Sequence, residues 1–394
     1  MMDGRTFRVM AFAAFANAVY QVSKNPAIVY GRASYPMRDA SLEVCPVKLT
    51  PDGPFASNTI LQGVDRLLEG VVVAAETVTF DSEGKMYTLQ EGDIFVSEAG
   101  GSNQTLYAHT GGRPLGGKFD AHGNLVFADL SKGLYMVEAG TRRVVLLTDT
   151  VSSTSPLEPD SAINYADDVD IAADGTIYFS DACALAPIKF GNGKYDVMGS
   201  AKLSFYQGPT GRLLSYNPSN GATHVLATGL YFANGVALSK DESFIAVAST
   251  FSSRLFRYWL KGPKAGDLEQ FADMPGSPDG VSLGSDGSFW VAITAPTIDM
   301  VEFIAPYTKV RWALSWIPED MGPKPKTMGM VVQIDKDGEV LRSFQDPNGS
   351  AVRFVTAVTE HSGRLYLGSL KNKFVGRLDL AAVEAAAPAD APFE

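Results

Sequence analysis

TGLYFANGVALSKDESFIAVASTFSSRLFRYWLKGP, residues 228–263, decides the reading of the fold. An apolar run opens at Asn234, a polar turn follows at Lys240, Asp241, Glu242 and Ser243, and apolar segments at 244–248 and 254–260 come after it. Short strands rich in aromatic and β-branched residues, punctuated by Asp and Ser turns, predict an antiparallel meander, here one blade of a β-propeller. The unit returns five times, as TFDSEGKMYT (79–88), KFDAHGNLVFAD (118–129), IAADGTIYFSD (171–181), LGSDGSFWVAI (283–293) and TEHSGRLYLGS (359–369). Six copies predict an all-β, six-bladed β-propeller.

Eight residues before the turn glycine of each copy, with Glu242 in its place in the 228–263 copy, stand Glu76, Leu115, Asp167, Asn234, Asp279 and Val355. Blades repeat around one axis, so an equal offset implies equal height and equal distance from the central channel. Four of the six offer oxygen ligands. Asp and Asn also open strands as turn formers, but Glu76 is no turn residue and the two exceptions are apolar. Carboxylates facing one another repel unless a cation lies between them. Oxygen donors without Cys or His select a hard ion, and a wide ring with room for water suits Ca²⁺ better than Mg²⁺, with another divalent cation left open. Leu115 and Val355 leave two sides open and are read as pocket residues, where water or substrate enters.

The whole chain of 394 residues fits one large domain, because the same unit keeps returning. Residues 57–380 form the propeller, 1–56 a leading segment and extended lead-in, and 381–394 an Ala/Pro-rich disordered tail. A strand within 42–49 is expected to close the last blade. A formal net charge of −11 and the lack of a basic run exclude a nucleic-acid surface. Arg5 and Arg8 before the apolar run 9–18 have the outline of a signal peptide, and an amphipathic helix on the propeller reads the same way. The protein is secreted, periplasmic or membrane-associated on the first reading and cytoplasmic on the second. Membrane association through this segment or the lid stays open, as does the oligomeric state. Cys45 and Cys183 are too few for a disulfide framework and read as buried thiols, with one bridge left open for an oxidising compartment. None of the four histidines falls in the ring.

Two insertions interrupt the repeat, 182–202 in blade three and 294–328 in blade five, the latter with helical periodicity over 298–305 and 309–317. Both follow a second strand, which places them on the face where the ring opens, as helical lids. Cys183, Trp312 and Trp316 are therefore substrate-pocket candidates. Neither a nucleotide-binding glycine fingerprint nor a G-x-S-x-G elbow is present.

RPLGGKFDAHGNL, GRLLSYNPSNGAT, YFANGVALSKDESF, SSRLFRYWLKGPKAG and SPDGVSLGSDGSFWVA together resemble the strictosidine synthase-like proteins, including the adipocyte plasma membrane-associated type, within the gluconolactonase and paraoxonase superfamily. The resemblance spans 57–380. It implies a six-bladed propeller with a central divalent metal, usually calcium, held at Glu76, Asp167, Asn234 and Asp279. Asp167 stands where relatives commonly carry Asn. Thr356 stands where plant strictosidine synthases carry a catalytic Glu, so the resemblance does not imply that amine condensation. The paraoxonase histidine pair is missing too, with Leu115 at the first position. A gluconolactonase-like scheme remains, a Ca²⁺-dependent hydrolase of small lactones or related aryl esters, with Asp279 as the base and Asp167 as the second candidate. The alternatives are a binding or scaffold propeller with structural Ca²⁺, and a metal-assisted cyclase or isomerase of a natural product.

Overall fold

The computed structural model describes residues 41–44, 46–189, 194–297, 299–314 and 327–386. Six four-stranded antiparallel sheets form the blades of the propeller. The 228–263 stretch supplies Ala233–Leu238, Phe244–Ser249 and Arg254–Trp259, and Leu268–Asp273 completes that blade at the rim. The turn between the first two strands of every blade needs a left-handed residue. Glycines take it in five blades, with φ of 79° at Gly84, 80° at Gly123, 87° at Gly175, 92° at Gly287 and 73° at Gly363, while Glu242 adopts 54° in the sixth. Glycine bears this conformation without a Cβ clash.

Strands alternate in facing, and their apolar residues meet in wedges between neighbouring blades. Phe244, Phe271, Phe289 and Met330 fill one wedge, and Trp290, Phe344, Val358 and Leu365 the next. The last sheet takes its outer strand from the beginning of the chain: Asp65–Leu67 pairs antiparallel with Val375–Asp379, Asp65 opposite Arg377. Closure by an N-terminal strand is therefore present, but within 65–67 and not within 42–49. The earlier segment carries Pro46, which lacks a ladder donor, and forms no strand. Leu42 packs instead with Phe205, Tyr231, Ile304 and Ala305.

Helix α1 (Val197–Gln207) interrupts blade three, and α2 (Asp299–Ile304) and α3 (Thr308–Leu314) interrupt blade five. Asp196 caps α1 by accepting from Gly199 N at 2.9 Å. Helices α1 and α3 are joined where Arg311 Nη1 donates to Phe205 O at 2.9 Å. The final strand runs into α4 (Leu380–Ala386), so 381–386 is helical rather than part of a structureless tail; Leu380 anchors it in the wedge with Trp290. Among the described residues no helix is long and apolar enough to cross a membrane. The 9–18 run, Cys45, Trp316 and 387–394 lie outside the described residues, as does the side chain of Trp312.

Candidate metal centre

Five of the six inner strands break register where the ring residues stand. The shifts fall between Pro114 and Gly117, Ala166 and Val169, Ala233 and Val236, Pro278 and Val281, and Val355 and Ala357. Such a bulge leaves residues unpaired and re-aims their side chains. In blade one the ring residue simply precedes its strand, with Glu76 N donating to Leu89 O at 3.2 Å.

A second device fixes the approach to each bulge. A polar residue at or near the end of the second strand of every blade bonds the backbone two or three residues ahead of the ring position. Gln90 Oε1 accepts from Val73 N, Asp129 Oδ2 from Arg113 N, Asp181 Oδ1 from Tyr165 N and Ser249 Oγ from Tyr231 N, all at 2.7–3.0 Å. Thr294 Oγ1 donates to Ser277 O at 3.3 Å and Ser369 Oγ to Arg353 O at 2.7 Å. These six clamps escaped the motif reading, although their signal is in the sequence as a polar residue six or seven places after each turn position.

The inner strands enclose a cavity of about 270 Å³. Glu76, Gly116, Asp167, Asn234, Asp279 and Thr356 line it at the ring level, and Phe80, Phe119, Leu283 and His361 towards the turn face. One carboxylate oxygen from each of Glu76, Asp167 and Asp279 lies within 4.8 Å of the other two. All three are buried, at 7, 4 and 7% exposure, and Asn234 beside them is at 4%. Glu76 Oε2 is buried with no hydrogen-bond partner. An orphaned buried carboxylate oxygen facing two further carboxylates is costly unless a cation completes it. The donor set, all oxygen, fits a hard divalent ion.

Burial pushes the Asp167 carboxyl well above its ordinary range, and Glu76 and Asp279 push it further. Asp279 is likewise raised well above, by burial and then by Glu76 and Asp168, with the Asn234 amide opposing. Burial raises Glu76 too, against the pull of Arg113, whose Nη2 lies 3.9 Å from Glu76 Oε2. Asp168, also in the channel wall, is pushed up to about 7 by burial, although its oxygens accept from Val169 N at 2.8 Å and Val236 N at 3.0 Å. Arg113 and Asp168 both escaped the offset argument because they flank ring positions rather than occupy them.

The two apolar ring positions do not line the cavity. Leu115 joins Leu130, Tyr165, Cys183, Leu185 and Phe232 in an apolar layer at the ring end, and Gly116 faces the channel in its place. A Cβ on Gly116 would come 2.0 Å from Asp168 Oδ1, so glycine is required there. Val355 turns into the wedge between blades five and six, and Thr356 takes the channel face. Asp167, Asn234 and Asp279 stand at equivalent bulges and line the cavity, so side-chain polarity separates the two cases: Leu115 and Val355 pack among apolar neighbours. Cys183 is fully buried, and burial pushes its thiol up to about 12, so it is inert in that layer. Phe232 packs tilted on Phe251, which meets Phe205 of α1 edge to face, and this ties the layer to the helical insertions.

A family model described as strictosidine synthase matches residues 167–263, and one described as strictosidine synthase-like, N-terminal, matches residues 53–96. The adipocyte plasma membrane-associated protein of Gallus gallus is 32% identical over 349 residues, covering 83% of this chain and 80% of that protein. The Arabidopsis thaliana protein strictosidine synthase-like 13 is 34% identical over 257 residues, covering 64% of this chain and 60% of its own length. A gluconolactonase structure from Xanthomonas campestris superposes with a TM-score of 0.57 at 16% identity, covering 87% of this chain and 98% of its own. A calcium-binding protein, regucalcin, from Agrobacterium tumefaciens gives 0.52 at 15% identity, covering 79% and 92%. These two structures share the fold.

Proposed function

The chain belongs to the strictosidine synthase-like family, and from that premise we propose that it is a Ca²⁺-dependent hydrolase of lactones or related esters. The observation that carries this reading is the triad Glu76, Asp167 and Asp279, converging within 4.8 Å around an unpartnered Glu76 oxygen. Support also comes from two structures of the same fold, one named a gluconolactonase and one described as calcium-binding.

Glu76, Asp167, Asn234 and Asp279 would hold the ion. Bound there, it supplies a Lewis acid that polarises a carbonyl and stabilises the developing oxyanion. Asp279 is the general base, with Asp167 the second candidate. It takes a proton from water as the water oxygen bonds to the acyl carbon; the acyl–oxygen bond then breaks, and the proton passes to the leaving alkoxide to give the hydroxy acid. The layer formed by Leu115, Tyr165, Cys183 and Phe232, with α1 and α3 packed beyond it, serves as the lid that a substrate displaces. Strictosidine synthesis is not part of this reading, because Thr356 offers no carboxylate.

Turnover of a panel of lactones and aryl esters by the purified protein, before chelation, after chelation and after Ca²⁺ is restored, tests the proposal. Hydrolysis lost with chelator and regained with Ca²⁺ is expected. Tight Ca²⁺ binding without turnover of any of them would replace it with a binding propeller around a structural ion, a reading that the burial of all four ring residues favours.

A further inference from the structure

Arg113 places a cation beside the ring, against Glu76, and its environment holds it there. The residue is 5% exposed, its backbone N is fixed by Asp129 Oδ2 at 2.9 Å, and Pro114 stiffens the chain immediately after it. Nη2 donates to Ala74 O at 3.3 Å and stands 3.9 Å from Glu76 Oε2. Neither Arg113 Nε nor Glu76 Oε2 has a hydrogen-bond partner, although both are buried. The guanidinium thus forms a long ion pair with Glu76 without hydrogen-bonding Oε2, which leaves that buried oxygen to be completed by a cation.

Glu76, Asp167, Asp279 and Arg113 together carry a formal charge of −2. Of the charges around them, Lys118 Nζ lies 2.7 Å from Asp170 Oδ1 and Arg212 pairs with Asp181, whereas Asp168, whose oxygens accept backbone N–H groups, adds negative charge beside the ring that Arg113 offsets. We infer that Arg113 sets the charge selectivity of the metal centre, matching it to divalent ions and weakening trivalent ones. The inference rests on the reading of the ring as a metal site, but not on lactone hydrolysis. A fixed positive charge raises the potential felt by any ion in the ring, and the penalty grows with the charge of the ion. Arg113 also gives Glu76 a counter-charge when the ring is empty.

The test is the ratio of Tb³⁺ to Ca²⁺ affinity, read by terbium luminescence and calcium competition in one near-neutral buffer for every variant. Arg113→Gln should tighten Ca²⁺ by about tenfold or more and Tb³⁺ by a larger factor, since the gain scales with ionic charge. Arg113→Lys, which keeps the charge, should hold the ratio of the unmodified protein. Glu76→Gln should move the ratio towards Ca²⁺, and adding Arg113→Gln to it restores the charge of −2 and should bring the ratio back. That pair gives the same contrast if Arg113→Gln alone does not fold. A ratio unmoved by removing the guanidinium, or weaker Ca²⁺ binding in Arg113→Gln, overturns the inference while leaving the metal site standing. Absence of Ca²⁺ and Tb³⁺ binding in the unmodified protein overturns both.

Discussion

Thr356 Oγ1 donates a 3.0 Å hydrogen bond to the carbonyl oxygen of Glu76, joining the inner strand of the last blade to the first metal-ligand candidate. The side chain standing where the plant synthases carry a catalytic carboxylate is thus engaged as a strut. Thr356→Glu would place a carboxylate against a carbonyl acceptor and add a fourth acid to a buried ring. We expect no amine–aldehyde condensation from this variant, checked by chromatography with an arylethylamine and an aldehyde. Stability should fall by about 1–3 kcal/mol, the usual cost of leaving a buried polar group unsatisfied. Condensation by the unmodified protein would overturn this account of Thr356.

The raised carboxyls give the metal-free protein a definite pH response. Asp167 and Asp279 bind protons more tightly folded than unfolded, since both are raised well above their ordinary range. Their contribution is therefore complete below the ordinary carboxylate range and is lost as pH rises through the folded values. Asp168, pushed up to about 7, adds to the loss up to neutrality. Chelated protein should melt at progressively lower temperature from mildly acidic to alkaline pH. Added Ca²⁺ should reverse the trend, contributing about 2.7 kcal/mol at a hundredfold excess over Kd. Calorimetry with and without chelator reads this directly, and a gap between the two melting temperatures that shrinks towards alkaline pH would contradict it.

Ser249 tests the clamps. Its Oγ accepts from Tyr231 N at 3.0 Å and from Ser252 Oγ at 2.8 Å, three residues ahead of Asn234. Ser249→Ala leaves Tyr231 N without that acceptor and should cost about 1–2 kcal/mol in urea unfolding. Because the loosened segment leads into Asn234, Ca²⁺ affinity should fall severalfold as well. A loss of stability with unchanged affinity would show that the clamp serves the blade alone.

The propeller was legible because its signal is repeated: one turn position with left-handed backbone recurs from Gly84 to Gly363, and strand alternation follows from it. The triad was legible for the same reason, since the offset places Glu76, Asp167 and Asp279 at one height. Val355 and Leu115 were misplaced because the offset fixes height and not facing: at these positions the polar side chains turn to the channel and the two apolar ones to apolar packing. Arg113 stayed hidden because a long side chain acts at a distance from its own register position. The closing strand was hidden by its length: Asp65, Arg66 and Leu67 are too few to show alternation, whereas 42–49 offered a longer apolar run that is used under the helices.

Asp279 carries the chemical claim, and Val355 provides its control. Asp279 lines the cavity, with Pro278 before it and Gly280 after it in the strand, and Asn234 lines the same cavity beside it. Gly280 is forced by space, since a Cβ there would meet Thr356 O at 2.6 Å. The strand is thereby packed tightly against its neighbour and the carboxylate is held in place. Asp279→Asn keeps the shape and one ligand oxygen but cannot accept a proton. With Ca²⁺ raised to saturation, kcat on any lactone substrate should fall by about 10²- to 10⁴-fold, the span expected for a general base. Val355→Ala, despite sharing the ring offset, removes methyl groups from the wedge between blades five and six. It should cost on the order of 2 kcal/mol of stability and leave kcat unchanged at temperatures where the protein is folded. Near-full turnover by Asp279→Asn with Ca²⁺ bound would make Asp279 a ligand only, and Asp167→Asn would then have to show the loss.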